Sequence, residues 1–243
     1  MLEKLKFLGK PTPKQPTLKN LMSGINSYGE ELPQSDICEN KHRDFIGGKW
    51  EEIGQLQFNF LLETGLQPHH KLLDLGCGCL RGGIHFISYL EADNYYGLDV
   101  NASLIEAAWR EVKLAQLEAK NPQLLVNDKF EIERFGQQFD FMLSISVFTH
   151  LPMNMIIRCL SEVQKNLTAN GKYYSTFFVA PSSAHTKSIL HQPGGITTNY
   201  DFDPFHYSVA EISFMAQVAG LGINIIGEWN HPRNQQMVEF FRL

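Results

Sequence analysis

The residues best suited to do chemistry lie in one short run, Asp74-Leu75-Gly76-Cys77-Gly78-Cys79-Leu80-Arg81-Gly82-Gly83. Glycines in such a run let the backbone approach a ligand closely, and a helix opening after it offers unpaired N–H groups. Asp99 stands 25 residues after Asp74, at the end of the next apolar segment. An acid there can accept both hydroxyls of a ribose. Each feature alone is a weak signal. Together, at the length of one βαβ unit, they favour a bound nucleotide-type cofactor over plain turn glycines and a helix-capping aspartate. The cofactor residues are then Asp74, Gly76, Cys77, Gly78, Asp99 and the adjoining Val100, with Cys77 contributing its backbone and not its thiol. Arg81 falls where a helix begins, a place where a cation opposes the helix dipole. It is either a solvated side chain or the partner of a carboxylate.

The surrounding pattern supplies the elements that would position these groups. Ile53, Leu56, Phe60 and Leu61 share one face of a helix that runs from Glu51 to near Gly65. Lys71 to Leu75 reads as a buried strand, and Ile84, Ile87 and Leu90 as a helix after the glycine run. Tyr95 to Val100 is a second strand. A helix from Asn101 follows, with Ser103 and Glu106 as a capping box and Leu104, Ala108, Val112 and Ala115 as its stripe. Leu124 to Val126 and Phe139 to Ile145 are the next strands. The helix of Ile156, Leu160, Val163 and Leu167 is expected to close at Asn170-Gly171, before a strand from Lys172 to Val179. Residues 180–207 lack periodicity and read as a long loop or lid. Ser208 and Glu211 form a second capping box, and strands Ile223 to Trp229 and Met237 to Arg242 close the chain. Only a short turn joins those two strands, so they must be antiparallel. The expectation is an α/β, doubly wound, mainly parallel seven-stranded sheet with a terminal antiparallel hairpin and an N-terminal helical segment.

Composition narrows the class. The chain has 243 residues, 43% hydrophobic and 19% charged, with a net charge of -5. That suits one soluble domain, residues 50–243, behind an N-terminal arm and cap segment, residues 1–49. Residues 1–20, rich in lysine and proline, read as a solvated arm. An acidic balance argues against a nucleic-acid partner. No apolar run is long enough to span a bilayer, and the opening MLEKLKFLGK is too broken for a secretory signal, which points to the cytoplasm. Cys38, Cys77, Cys79 and Cys159 fit no zinc spacing and read as reduced thiols, so no metal is expected.

The loop and its acid resemble those of class I methyltransferases. The first motif of that family is an acid followed by Gly-x-Gly, matched by Asp74-Leu75-Gly76-Cys77-Gly78. Asp99 matches the family's ribose acid, and Asp128 the position near the adenine amino group. Phe139-Asp140 and Ser146-Val147-Phe148-Thr149-His150-Leu151-Pro152 resemble its fourth motif and the helix behind it. The resemblance covers residues 50–243. It implies S-adenosylmethionine as cofactor, with Ser146 and Asp128 joining the residues above and Arg81 receiving a carboxylate of the cofactor's methionine end or of the acceptor. Leu80 stands where many members carry a third glycine.

The acceptor side follows from topology. Residues 146–152, the lid 180–207 and the turn 230–234 leave or join the sheet where its parallel strands end. His150, Tyr200, His206, His231 and Arg233 should gather there, with Trp50, Tyr28 and lid aromatics as an apolar wall. His150 is the candidate general base, against the plainer role of helix cap. The expected reaction is methyl transfer to an O or N atom of a small molecule, a sugar or a peptide side chain. Two alternatives stand beside it. An NAD-dependent oxidoreductase would want Gly-x-Gly-x-x-Gly, which Gly76, Gly78 and Arg81 do not supply. A non-catalytic cofactor-binding partner subunit would lack an acceptor pocket.

Overall fold

The computed structural model describes residues 28–243. The arm expected over residues 1–20 lies outside them. Two short helices, α1 (Gln34–Cys38) and α2 (His42–Phe45), precede α3 (Trp50–Glu63). Strands and helices then alternate through β1 (Leu72–Leu75), α4 (Gly83–Tyr89), β2 (Tyr95–Asp99), α5 (Ala102–Leu114), β3 (Gln123–Val126), β4 (Phe139–Ser144), α6 (Met153–Asn166) and β5 (Leu167–Val179). A hairpin of β6 (Ile189–His191) and β7 (Ile196–Thr198) follows, then β8 (His206–Tyr207), α7 (Val209–Val218), β9 (Leu221–Gly227) and β10 (Gln236–Arg242).

The main sheet runs β3-β2-β1-β4-β5-β10-β9. Its first five strands are parallel, and β10 is antiparallel to both β5 and β9. The two-residue β8 adds a parallel pairing beside the end of β5, so the seven expected strands gain an eighth. Successive residues of β1 serve opposite faces, as strand geometry demands. Leu73 and Leu75 pack with α6 and α7, among Ile156, Leu160, Val163 and Met215. Leu72 packs on the other face with Leu61, Phe86, Ile87 and Val112. Among the described residues no helix is long and apolar enough to cross a membrane.

Three local expectations need correction. The cap of α5 is Asn101, not a Ser103–Glu106 box: its side chain accepts from the backbone of Ser103 at 3.0 Å and of Leu104 at 3.3 Å. Asn competes for that position because its carbonyl reaches the two orphan N–H groups of the first turn. Asn170-Gly171 does not end a helix. β5 begins at Leu167 directly after α6, and its register against β4 shifts between Phe139 and Phe141. Gly171 serves a close approach there, since a Cβ would lie 2.8 Å from the carbonyl oxygen of Phe139. The lid is not free of regular structure, because β6, β7 and β8 lie within it. The second capping box does form, with Glu211 N–H to Ser208 Oγ at 3.3 Å and Ser208 N–H to Glu211 Oε2 at 2.8 Å.

The segment ahead of α3 is fastened to α5. Glu111 is buried, 3% exposed, and receives Arg43 through Nε at 2.8 Å and Nη2 at 2.7 Å. His42 Nε2 meets the same carboxylate at 2.7 Å. Asn101 Nδ2 donates to the carbonyls of Tyr28 at 2.9 Å and Glu30 at 2.8 Å. Burial pushes the Glu111 carboxyl up, and the hydrogen bonds from Arg43 and His42 outweigh it, leaving a net downward shift. A lowered carboxyl adds stability above its unfolded pKa and loses it as pH falls through the folded one. We expect Glu111→Ala to cost about 2–3 kcal/mol at neutral pH, because it strands a buried His42 and unpairs Arg43. Urea denaturation at several pH values checks this. The gap to wild type should close as pH drops below about 4.3, the ordinary glutamate value. A gap independent of pH would contradict the assignment.

Candidate functional site

Strand order reverses between β1 and β4, so the loops leaving their carboxyl ends diverge and open a crevice. The loop after β1 is tightly bent, with positive φ at Gly76 (72°), Gly78 (53°) and Leu80 (71°). Gly76 N–H and Cys77 N–H donate to the Leu98 carbonyl at 2.7 Å and 3.2 Å, which pins the loop to β2. Asp99 closes the same turn from the other side. Its Oδ2 accepts Gly78 N–H and its Oδ1 accepts Asn101 N–H, both at 2.9 Å.

The charges in this loop are buried. Asp74 accepts from Tyr95 OH at 2.9 Å. Burial lifts its pKa to about 7, with the Asp99 charge adding to the rise and Tyr95 and Arg81 opposing it. Burial likewise raises Asp99, against the pull of its backbone donors. Arg81 is 7% exposed, and its Nη1 donates to the carbonyls of Ile46 at 3.2 Å and Gly48 at 3.0 Å. Its Nε–H has no partner. Burial, then the charge of Arg233, bring its pKa down to about 10.

The loop after β4 forms the facing wall. Ser146 adopts a left-handed backbone (φ 60°). It is held by Thr176 Oγ1, which accepts its N–H at 2.8 Å, and by Gln235 Oε1, which accepts its hydroxyl at 2.9 Å. A short turn over Phe148–His150 follows. His150 Nδ1 lies 2.6 Å from Asp203 Oδ1, a carboxylate from the lid. The Tyr28 ring sits 4.6 Å from the His150 ring. Burial and the Asp203 charge raise the Tyr28 hydroxyl, while Arg233 and Arg81 oppose the rise.

One cleft of about 1100 Å³, part of it open to solvent, joins these walls. It brings together Asp74, Gly76, Cys77, Gly78, Arg81, Asp99, Val100, Ser146, His150 and Arg233 from the sequence-based set, along with Tyr28. It does not include the other five. Asp128 lines a separate shallow groove with Lys129, Glu131 and Arg134. Asn127 takes the inward position instead, its side chain accepting the N–H groups of Lys129 at 2.9 Å and Glu131 at 3.0 Å. Trp50 packs beneath the Arg43 guanidinium, 4.4 Å away. Tyr200 is half-exposed against His185, with ring centroids 4.8 Å apart. His206 is buried inside the lid, bonded to Thr198 Oγ1 at 2.8 Å and the His185 carbonyl at 2.7 Å. His231 stacks on Trp229 at 5.4 Å, its pKa lowered to about 3 by burial and then by Arg233, Arg81 and Lys49. Asn127, Phe130 and Gln57 line the cleft and were missed. An Asx residue just past a strand was the available signal for Asn127. Asp203 and Gln235 act from just behind the cleft, and nothing local to them pointed there.

Residues 73–173 match the family model described as a methyltransferase domain. Solved structures share the fold at low identity. A magnesium protoporphyrin IX methyltransferase from Synechocystis PCC 6803 with bound S-adenosylmethionine has a TM-score of 0.62 and 14% identity, over 96% of this chain and 100% of that one. An S-adenosylmethionine-dependent methyltransferase from Clostridium acetobutylicum has a TM-score of 0.61 and 11% identity, over 84% and 99%. The CcbJ methyltransferase of Streptomyces caelestis has a TM-score of 0.60 and 12% identity, over 89% and 94%. The fold is that of the class I methyltransferases. The matched methyltransferase domain contains the glycine loop and Asp99. Its cofactor is S-adenosylmethionine, and the oxidoreductase alternative is not favoured. The donor set suits that molecule: two buried carboxylates for a diol and an ammonium, and a buried guanidinium with an open N–H for a carboxylate.

A Cβ on Gly76 would fall well inside van der Waals contact with Val147 Cγ2. Gly76→Ala should therefore lose about 1–3 kcal/mol, combining the left-handed backbone with that clash. The double variant Gly76→Ala/Val147→Ala should recover part of it. Urea midpoints of the three proteins decide the matter, and an unchanged midpoint for Gly76→Ala would show that the two loops do not touch.

Proposed function

We propose that this chain transfers the cofactor's methyl group to an O or N atom of a small molecule, a sugar or a peptide side chain, with His150 as general base. The observation that carries the reading is the His150–Asp203 pair, 2.6 Å apart, facing the cleft that the Asp74–Gly78 loop and Asp99 also line. S-adenosylmethionine supplies a methyl group already activated on a sulfonium. The chain's own residues have to position, desolvate and take up a proton. Asp99 is assigned the ribose hydroxyls, Asp74 the ammonium of the methionine end, and Arg81 its carboxylate. Asn127 and Phe130 are assigned the adenine end in place of Asp128. Asp203 fixes the His150 ring with Nδ1 toward the carboxylate, and the imidazole is assigned the acceptor's proton. Residues 28–49 are read as a cap over the site, residues 50–243 as the transferase domain, and the lid 180–207 as the carrier of Asp203.

Calorimetric titration with S-adenosylhomocysteine tests the reading. Binding should be micromolar or tighter, about 8 kcal/mol. Asp99→Ala should weaken it by on the order of 2–4 kcal/mol, since two charge-assisted hydrogen bonds are lost. Heat only with NAD would overturn the cofactor assignment, and unchanged affinity in Asp99→Ala would overturn the ribose role.

A pH profile follows from Asp74. Its folded pKa near 7 lies above the unfolded value, so its share of stability is full at acid pH and falls as pH rises through about 7. A bound ammonium favours the ionised carboxylate. Affinity for S-adenosylhomocysteine should therefore rise several-fold from about pH 6 to about pH 8, one logarithm per titrating proton at most. Asp74→Asn should flatten that rise. A profile equally steep in the variant would assign the proton to another group.

A further inference from the structure

Two arginines from distant parts of the sequence line the same cleft. Arg81 comes from the glycine loop and Arg233 from the turn between β9 and β10. What holds each of them is carbonyl oxygen. Arg81 is held by Ile46 and Gly48, and Arg233 Nη2 donates to Gly47. Neither cleft arginine is joined to a carboxylate by an ion pair among the described residues, in contrast to Arg43, which meets Glu111. Arg81 is more than nine-tenths buried and its Nε–H is orphaned. Nearby His231 adds no further positive charge, because burial and then the same two arginines keep it neutral. A cation buried like Arg81 without an anion is costly, and the cost is recovered when a ligand brings the anion; Arg233, half-buried beside it, adds a second positive charge at the same place.

The cofactor brings one carboxylate, and there are two arginines. Arg81 adjoins the glycine loop and is the one within reach of the methionine end. Arg233 lies beside it, on the Gly47 carbonyl between the two that Arg81 holds, and comes from the other end of the chain. A Cβ on Gly194 of the lid would collide with its backbone, which places the turn against the lid. Its charge is felt at the Tyr28 hydroxyl, and Tyr28 packs on His150. Arg233 is thus grouped with the base and the lid, on the side assigned to the acceptor.

We propose that Arg233, backed by Arg81, is an anion-binding subsite for the acceptor, so that the molecule methylated carries a carboxylate or a phosphate near the accepting atom. This deepens the methyl-transfer reading and rests on it for the word acceptor, though not for the anion. A guanidinium suits the task because its planar fork meets either anion with two parallel N–H bonds. A neutral sugar or an unmodified apolar compound would leave Arg233 without an anion and would be a poor acceptor.

The test uses the full chain and inorganic phosphate as probe, at constant ionic strength against sodium chloride, with and without saturating S-adenosylhomocysteine. Wild type should show a saturable rise in melting temperature with phosphate. R233Q should weaken phosphate at least about tenfold while holding S-adenosylhomocysteine affinity within about threefold, and R233K should fall between, keeping the charge but not the fork. R81Q should weaken S-adenosylhomocysteine about tenfold yet leave 5′-methylthioadenosine, which lacks the carboxylate, unchanged. Circular dichroism confirms that each variant is folded, and R233K carries the comparison if R233Q is not. A wild type that gains nothing from phosphate beyond sodium chloride overturns the proposal, as does R233Q binding phosphate like wild type. So does R233Q losing S-adenosylhomocysteine but not 5′-methylthioadenosine, which would assign Arg233 to the cofactor. If S-adenosylhomocysteine fails to bind while phosphate still depends on Arg233, the anion site stands and the methyl-transfer reading falls.

Discussion

Everything in the cleft depends on the reversal of strand order between β1 and β4. Adjacent parallel strands whose connections run to opposite sides cannot have their loops packed together, so a crevice opens at their carboxyl ends. What makes this crevice a site is how little slack its two rims have. Gly76 passes so close under Val147 that no side chain fits, and Ser146 next to it is held in a left-handed conformation by Thr176 and Gln235. The second contact reaches the β9–β10 turn, so the antiparallel end of the sheet fixes the rim of its parallel centre.

The electrostatics of the crevice follow from its burial. Asp74 and Asp99 are both raised, and Arg81 is lowered, chiefly by loss of water. Each carboxylate is partly compensated, by Tyr95 or by backbone N–H groups, and none is fully paired with a cation. A core built for stability alone would replace such groups with apolar ones. Their retention at one cleft is the physical mark of a site completed by its ligand. Glu111 is the contrast. Equally buried by its side chain, it is saturated by Arg43 and His42, shifts downward, and fastens the Tyr28–Lys49 segment over the site.

The legible part of this chain was the part whose partners are near in sequence. Asp74, the two glycines and Asp99 belong to one βαβ unit, and a turn needing positive φ leaves glycine as its trace. The periodic stripes of α3, α5 and α6 could be read for the same reason. Asp128 lies one position beyond the residue that lines the cleft: strand ends alternate in direction, and Asn127, whose side chain caps the following turn, has the inward place. His206 and His231 were correctly located at the carboxyl ends of strands. Yet which way each ring faces is decided by Thr198 and Trp229 respectively, contacts that no spacing records. Asp203 was illegible altogether. Its role exists only because the lid folds back across β5 to His150, 53 residues away in sequence.

The division between what was legible and what was not is also a division of function. The span matching the methyltransferase family, residues 73–173, contains the glycine loop, Asp99, Asn127, Ser146 and His150. Tyr28, Asp203 and Arg233, which surround His150 from outside, come from the capping segment, the lid and the final turn, all beyond that span. In the proposed reading the matched span carries the cofactor side of the cleft. In that reading the acceptor side is built by the three elements around it. Those elements are tied to the core at several points: His42 and Arg43 to Glu111, Gln235 to Ser146 and Thr176, and β8 to β5. The two sides of the cleft are mechanically linked, because Arg81 is held by the carbonyls of Ile46 and Gly48 in the capping segment and Ser146 by Gln235 in the final turn.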